Sequence, residues 1–349
     1  MFRPLLAGLL AAGLILAAGF AGSNAQEKKD EKKEPPKKKE RIAIAEPKDV
    51  AKDPDFAIQG EYVGDTGTGG KVGVQVIAKG AGTFAVKAYK GGLPGDGWDK
   101  DIKEVLTGAA ETKDGKVVAT MKFGAETSTA TIADGVFTVS LGDKKIELKK
   151  IERTAKSLGE KPPEGAVVLF GKPGDEMNWT GGKLKELSDG KYLDVGVKSK
   201  AKFGAFKVHV EFRLPWMPNS GGQGRGNSGV YLQDRYELQV LDSFGLSGEN
   251  NECGGFYQAH KPTVNMCLPP MVWQTYDIEF TPAAFDADGK KTKNARASVI
   301  HNGVKIHDNV EFKGEGGGGQ KENAMPGPFQ FQNHGDPVVY RNVWVVEVK

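Results

Sequence analysis

The chain has 349 residues, a formal net charge of +3 and 48 glycines. This nearly neutral balance, without a basic stripe interleaved with aromatic residues, argues against nucleic acid as a partner. The glycine content and the lack of long apolar helical stretches favour an all-β chain of roughly two domains.

The first 25 residues have the pattern of a secretion signal. Arg3 precedes an apolar core from Leu5 to Phe20, and Ser23-Asn24-Ala25 forms a small-residue cleavage site. A membrane anchor is the alternative, but the core is short for a span and a charged tract follows directly. We therefore expect a periplasmic or extracellular protein without a membrane span after cleavage. Residues 26–53, with mixed charges over 27–40, are predicted to be a disordered tether.

Residues 54–154 are predicted to form a small antiparallel β-domain. Short apolar-alternating runs are separated by turn signals such as Asp114-Gly115 and Asp134-Gly135. The loop 91–98 ends in Trp98, which either stacks on a sugar or plugs the end of its own domain. Residues 155–165, rich in proline and charge, are predicted to be a linker.

Residues 166–349 again read as strand after strand. Phe206 to Leu214 alternates apolar and polar side chains, and Asn302-Gly303 is a signal for a type I′ hairpin turn. About ten strands without a convincing helix indicate a two-sheet sandwich of the jelly-roll kind. Such sandwiches usually curve, which leaves one concave polar face.

Polar rows on three of these strands are the candidates for a shared surface. The central row follows a glycine-rich turn within residues 226–242 and contains neither Gly nor Pro. Strand side chains alternate between faces, so each row should lie on one side of its strand. The rows are Gln233, Arg235, Glu237 and Gln239; His209, Glu211 and Arg213; and Gln330, Gln332 and His334.

Glu237 and His334 are the candidates for chemistry in these rows. Carboxylates with a nearby His or Arg commonly transfer protons at sugars, and His334 lies in the turn 333–337, where functional residues concentrate. A salt bridge from Glu237 to Arg235 or Arg213 is the competing interpretation. Asp242, five residues beyond Glu237, shares its face only if a bulge intervenes.

Two further features leave alternatives open. Cys253 and Cys267 form either one disulfide, worth about 3 kcal/mol at this loop size, or two buried thiols. Two cysteines without a histidine pair at ligand spacing make no zinc site. The glycine run 314–319 is either a flexible lid or a disordered segment, and its composition favours disorder.

Several segments together resemble the secreted bacterial 3-keto-disaccharide hydrolase domain family. The resemblance covers roughly residues 166–349, and residues 54–154 look like an accessory module that some members carry. The matching segments are Gly-Asn-Ser-Gly-Val-Tyr-Leu-Gln (226–233), Tyr-Glu-Leu-Gln-Val-Leu-Asp (236–242), Gly-Gly-Phe-Tyr (254–257), Trp-Gln-Thr-Tyr-Asp-Ile (273–278), Gln-Asn-His-Gly (332–335) and Arg-Asn-Val-Trp (341–344).

The resemblance implies a concanavalin A-like jelly roll and cleavage of glycosides whose sugar is oxidised at C3. A 3-keto group acidifies the C2 proton, so a base can remove it and expel the C1 substituent before water adds back. Glu237 or His334 is then the base or acid. A divalent metal could stabilise the enolate, although the sequence offers no convincing ligand set. The sugar-binding candidates are Arg235, Gln239, Gln233, Gln332, Glu211 and Asp242.

Residues 237–242 also look like the Glu-x-Asp-x-x-Glu strand of retaining glucanases on the same fold. Gln239 replaces the middle carboxylate, so ordinary double displacement is disfavoured. A non-catalytic carbohydrate-binding protein that uses the same concave face is the alternative function.

Overall fold

The computed structural model describes residues 41–66, 70–101, 105–123, 126–141 and 144–348. The predicted signal peptide and residues 26–40 of the predicted tether lie outside the described residues. The fold is all-β, as predicted, with two short helices before the first strand, α1 (Pro47–Val50) and α2 (Pro54–Ile58). No helix in these ranges is long and apolar enough to cross a membrane.

Residues 41–53 are packed, although the sequence assigns them to a disordered tether. Val50 is fully buried, and the backbone of Ile44 pairs with that of Trp216. Ile42, Ile44 and Val50 all contact the core of the first β-unit. Apolar residues return to the chain just after the charged tract, and their burial stabilises this segment.

The first β-unit is a closed barrel of eight antiparallel strands. Asp114-Gly115 and Asp134-Gly135 both have positive φ, as type I′ turns between neighbouring strands require. Pairing of the last strand with the first closes the barrel and removes its exposed edges. The strands are β1 (Gly60–Asp65), β2 (Lys71–Gly80), β3 (Thr83–Lys90), β4 (Val105–Lys113), β5 (Lys116–Phe123), β6 (Glu126–Ala133), β7 (Val136–Leu141) and β8 (Lys144–Ile151).

A tryptophan from the second β-unit completes the core of the barrel. Trp216 is fully buried, packs edge-on against Phe56 at 5.3 Å between ring centroids, and donates from Nε1 to Asp53 Oδ2 at 2.8 Å. Trp98 packs against Tyr89 of β3 with ring centroids 5.2 Å apart. This contact agrees with the prediction that Trp98 plugs the end of its own domain.

The second β-unit consists of fifteen strands, counted as β9 to β23. Short 3₁₀-helices occur at Asp175–Asn178 and Gly222–Gly224. The strands are β9 (Val167–Phe170), β10 (Trp179–Thr180), β11 (Leu184–Leu187), β12 (Gly190–Leu193), β13 (Val197–Ser199), β14 (Phe206–Arg213), β15 (Ser228–Leu232), β16 (Tyr236–Val240), β17 (Trp273–Thr281), β18 (Ala284–Phe285), β19 (Lys291–Lys293), β20 (Ala295–His301), β21 (Val304–Phe312), β22 (Gln330–Phe331) and β23 (Val339–Glu347).

These strands build two sheets that share one apolar core. The smaller sheet has the order β10-β13-β22-β15-β16, and the larger β11-β12-β23-β14-β17-β20-β21, with β9 paired to β23. Val230 and Leu238 from the smaller sheet and Val210 and Ile278 from the larger one belong to the same buried cluster. β18 and β19 form a separate pair. The unit is therefore a two-layer β-sandwich, and polar side chains alternate onto the outer face of each layer.

Residues 157–160, predicted to belong to a linker, lie across the outer face of the larger sheet. Ser157 Oγ donates to Asp277 Oδ2 at 2.5 Å, and the Gly159 amide donates to Glu211 Oε1 at 2.6 Å. Asn342 and Trp344 donate from their side chains to the carbonyl of Glu160. This segment covers Glu211 of β14, which is fully buried.

Candidate functional site

A polar cavity of about 360 Å³ lies on the outer face of the smaller sheet. Its volume falls in the range of small-molecule sites. The lining residues are Gln223, Asn227, Tyr231, Glu237, Gln239, Tyr257, Gln258, Gly317, Gly318, Gln332 and His334.

The floor of the cavity is the β15–β16 hairpin. Residues 233–235 form its three-residue loop, in which Gln233 and Asp234 both have positive φ. The register then places Tyr231 opposite Glu237 and Gly229 opposite Gln239. These residues point away from the core because Leu232, Tyr236, Leu238 and Val240 belong to the buried cluster, as the alternation predicts.

Glu237 is the carboxylate of the cavity. Its side chain is only 4% exposed, and its Oε2 accepts a hydrogen bond from the Tyr231 hydroxyl at 2.8 Å. Gln332 Nε2 in turn donates to Tyr231 Oη at 3.3 Å. Burial raises the pKa of Glu237 to about 7, against the hydrogen bond from Tyr231, which lowers it. The group can therefore take up or release a proton near neutral pH.

Two loop segments extend the hairpin into walls. The amide of Tyr257 donates to the carbonyl of Glu237 at 2.9 Å, so the segment around it runs as an edge along β16. On the other side, Gly316 donates to the carbonyl of Arg235 at 3.0 Å, and Gly317 and Gly318 line the cavity. The expectation of disorder for residues 314–319 is wrong, because these backbone bonds hold the run against the hairpin.

His334 lies at the exposed rim of the cavity, on the loop that follows β22. Asn333 Oδ1 accepts from the Gly335 amide at 2.9 Å and fixes the turn around the histidine. Beneath it, the buried Asp336 accepts from the Asn227 amide at 2.7 Å and forms an ion pair with Arg41. The loop is thus held from both sides, and His334 and Glu237 line the same cavity.

Residues 165–346, more than half of the chain, match the model of a family described as "3-keto-alpha-glucoside-1,2-lyase-like domain". The chain belongs to this family. The predicted family resemblance is therefore confirmed. Membership indicates a glycoside-cleaving, carbohydrate-related enzyme at the level of the family.

Two solved structures from Parabacteroides distasonis ATCC 8503 are similar to about half of this chain, and both are named "putative glycosyl hydrolase". One is 31% identical, covers 53% of this chain and 85% of its own, and has a TM-score of 0.47. The other is 18% identical, covers 53% of this chain and 95% of its own, and has a TM-score of 0.33. Curated proteins give no match.

Parts of two of the three polar rows meet at the cavity, and the third row does not reach it. Glu237 and Gln239 on β16 and Gln332 and His334 beyond β22 line one cavity. Glu211 lies on β14 of the larger sheet, where Val210 and Phe212 face the core and Glu211 faces the opposite outer side. The prediction that Glu211 shares a polar surface with Glu237 is wrong, because the same alternation occurs in both layers of a sandwich.

Glu211 instead belongs to a buried ion cluster of the lyase-like domain. His209 Nδ1 contacts Asp277 Oδ1 at 2.5 Å, its Nε2 lies 3.4 Å from Glu211 Oε1, and Arg341 Nε donates to Glu211 Oε2 at 2.6 Å. Burial alone would lower the pKa of His209, but the bonds to Asp277 and Glu211 raise it to about 9. Burial alone would raise the pKa of Glu211, but its bonds from His209, Asn342, Gly159 and Arg341 lower it to about 2.

Arg235 and Gln233 stabilise the hairpin end and do not line the cavity. Arg235 donates from Nη1 to Gln233 Oε1 and from Nη2 to Asn323 Oδ1, both at 2.7 Å. Gln233 Nε2 donates to the carbonyl of Phe203 at 2.8 Å. Both side chains leave the cavity face because Gln233 and Arg235 lie in the turn between the two strands, where strand alternation does not apply.

Asp242 is also absent from the cavity. It lies two residues beyond the end of β16, where its Oδ2 accepts from Arg225 Nε at 2.5 Å and its Oδ1 accepts from the Phe244 amide. A buried, fully paired carboxylate of this kind cannot act as the second acid of a glucanase. The predicted sugar-binding role of Asp242 is therefore wrong.

Cys253 and Cys267 are free buried thiols, so the alternative of two thiols is the one observed. Cys253 Sγ lies 3.2 Å from Tyr276 Oη, which donates to the carbonyl of Gln239 at 2.7 Å. The thiols therefore pack directly behind the strand that carries the cavity floor.

A metal ion finds no three-residue ligand set in the cavity. The cavity is lined by one carboxylate, Glu237, and one imidazole, His334, and most of its other polar side chains are amides. Within the described ranges, one group of acidic and histidine side chains is close enough to share an ion. It consists of Glu160, His209 and Asp277 and lies at the outer face of the larger sheet. The imidazole of His209 in this group forms ion pairs with the carboxylates of Asp277 and Glu211.

The sequence missed Tyr231, Asn227 and Gln223 as lining residues. Tyr231 stands on the hairpin partner strand, and its position opposite Glu237 depends on the turn at Gln233-Asp234. The sequence feature that could have indicated this arrangement is Gly229, because a glycine inside a strand often marks the close approach of another group.

Replacing that glycine is expected to disturb the site while the fold survives. A Cβ at position 229 would lie 3.0 Å from Glu237 Cγ and closer still to its Oε1, so the carboxylate must move. We expect Gly229→Ala to reduce activity about tenfold or more, since small displacements of a catalytic group are costly. Steady-state kinetics beside a thermal melt measures this. Gly204→Ala, where a Cβ meets nothing within 4 Å, is the matched control, and equal activity of both variants would contradict the expectation.

Proposed function

We propose that this protein is a secreted enzyme that cleaves 3-keto-glycosides by elimination across C1 and C2, followed by hydration. The observation that best supports this proposal is that the carboxyl group of Glu237 is buried in a polar cavity and has a pKa raised to about 7. The family description, which names a 1,2-lyase-like reaction on 3-keto-alpha-glucosides, supports the same chemistry. A concanavalin A-like jelly roll and export through the N-terminal signal belong to this proposal.

The reaction balances without an external oxidant or reductant. Glu237 takes the C2 proton, which the neighbouring C3 ketone acidifies, and the electron pair delocalises onto the C3 oxygen as an enolate. The enolate collapses by forming the C1–C2 double bond and breaking the bond from C1 to the leaving oxygen. Water then adds at C1 while C2 regains a proton. The products are a 3-keto sugar and the released alcohol.

Three side chains of the site have roles in this scheme, Glu237, Gln332 and His334. A general base works best when its pKa lies near the operating pH, which suits Glu237. Gln332 Nε2 is a donor for the C3 oxygen, where negative charge develops, and its bond to Tyr231 at 3.3 Å is long enough to yield. His334, at the rim, protonates the leaving oxygen. No step of this scheme uses a metal.

The proposal is tested by assaying the full chain with methyl 3-keto-α-glucoside and its unoxidised parent, methyl α-glucoside. We expect methanol release from the keto sugar alone, because only the ketone acidifies the C2 proton. Cleavage of both sugars at similar rates would contradict the elimination. Binding of both without cleavage would favour the non-catalytic carbohydrate-binding alternative.

A further inference from the structure

Two buried amide oxygens in the cavity have no hydrogen-bond partner. Asn227 and Gln239 are each 1% exposed and line the cavity, yet Asn227 Oδ1 and Gln239 Oε1 accept no bond from any described residue. A buried acceptor left unsatisfied costs on the order of 1–3 kcal/mol, so such atoms usually have a ligand or a role.

Gln223 fixes which end of each amide is free. Its Oε1 accepts from Asn227 Nδ2 at 3.2 Å and from Gln239 Nε2 at 3.0 Å. Its own Nε2 donates to the carbonyl of Asn251 at 2.7 Å, which sets the orientation of the Gln223 amide. Asn227 Nδ2 also donates to the backbone carbonyl of Gln223 at 2.8 Å. The donor ends are therefore occupied, and only oxygens remain for a ligand.

An amide oxygen accepts hydrogen bonds and donates none. It can bind a sugar hydroxyl but not a ketone oxygen, which is also only an acceptor. The donor for a ketone is Gln332 Nε2, on the neighbouring strand segment. The cavity thus has an accepting side and a donating side, and a sugar with one ketone and several hydroxyls can match both only in a limited set of orientations.

We propose that Asn227 and Gln239 form a subsite that accepts hydrogen bonds from two hydroxyl groups of the sugar ring, which turns its ketone toward Gln332. This subsite rests on the proposed function for its ligand class. It makes Asn227 and Gln239 specificity-determining residues, because a sugar that lacks either hydroxyl leaves a buried oxygen unpaired.

Binding of an unreactive sugar tests the subsite separately from catalysis. Methyl α-glucoside has no ketone, so its affinity for the full chain can be measured by calorimetry or ligand-observed magnetic resonance. Its deoxy and deoxyfluoro analogues at C2, C3, C4 and C6 remove one donor at a time, and fluorine cannot donate. We expect both kinds of analogue to bind about tenfold more weakly at two positions and nearly normally elsewhere.

Coupled protein variants then assign each hydroxyl. In Asn227→Leu one of the two tenfold penalties should disappear, and in Gln239→Leu the other, whereas the exposed Gln320→Leu should keep both. Thermal melts report whether each variant folds, and the analogue series on the unaltered protein decides the question if one does not.

The possible results separate the two proposals. Analogues that all bind like the parent, a parent that does not bind, or penalties unchanged in both folded variants would overturn the subsite. The expected pattern together with no cleavage of methyl 3-keto-α-glucoside would leave the subsite standing and overturn the proposed function. Cleavage of the keto sugar, with analogue binding that does not depend on any hydroxyl, would support the proposed function and overturn the subsite.

Discussion

Glu237→Gln is expected to lower kcat/KM for methyl 3-keto-α-glucoside by about 10² to 10⁴-fold, the usual contribution of a positioned general base. Glutamine has nearly the same shape and still accepts the bond from Tyr231, so the cavity should persist. What it lacks is a site for the C2 proton. Steady-state kinetics at several pH values measures the effect.

The pH profile separates this role from a merely structural one. Burial raises the pKa of Glu237 to about 7, so the basic form accumulates, and the rate of the unaltered enzyme should rise, as pH increases through 7. The residual rate of Glu237→Gln should not show this rise. Glu186→Gln, an exposed Glu paired with Lys191, is the matched control and should behave like the parent. A Glu237→Gln variant with full activity would remove Glu237 from the mechanism.

Glu211→Gln is expected to destabilise the fold by about 3 kcal/mol without acting at the cavity. The change removes the charge of the buried Glu211 and leaves the fully buried His209 imidazolium partly uncompensated, which is costly in the interior. The half-buried Arg341 loses its carboxylate partner as well. Urea unfolding at pH 6 measures the free energy of unfolding, again with Glu186→Gln as the control.

The pKa shifts set the pH window of that effect. His209 has a folded pKa raised to about 9, so its contribution is fully present below about 6.5 and is lost as pH rises through 9. Glu211 has a folded pKa lowered to about 2, so its contribution is present above about 4.5 and is lost as pH falls through 2. The difference between parent and variant should be largest between those limits. A loss below 0.5 kcal/mol at pH 6 would show that the cluster does not stabilise the fold.

Local patterns were enough to predict much of the architecture. Asn302 and Gly303 have the positive φ values of the predicted type I′ turn between β20 and β21, because so few residue pairs tolerate that backbone. The period-two alternation of residues 236–240 correctly separates Glu237 and Gln239 from their buried neighbours. Both inferences depend only on backbone geometry within a few residues.

Placement of β14 could not be predicted in this way. His209, Glu211 and Arg213 alternate as cleanly as Glu237 and Gln239, yet they lie on the other layer, where residues 157–160 cover Glu211. Alternation identifies an outer face but does not say which sheet the strand joins. That choice depends on long-range pairing, here of β14 with β17 and β23.

The all-β class, the family residues and the position of Glu237 on a polar strand face could all be inferred from local sequence patterns. The folded chain was needed to show that Glu237 shares a cavity with Tyr231, Gln332 and His334, that Arg235 and Asp242 are paired elsewhere, and that the glycine run 314–319 forms a wall. Hydrogen bonds and burial depend on neighbours distant in the chain, which local patterns do not reveal. The pKa of Glu237 shifts for the same reason, since it is the assembled cavity, and not the local sequence, that removes its carboxyl group from water.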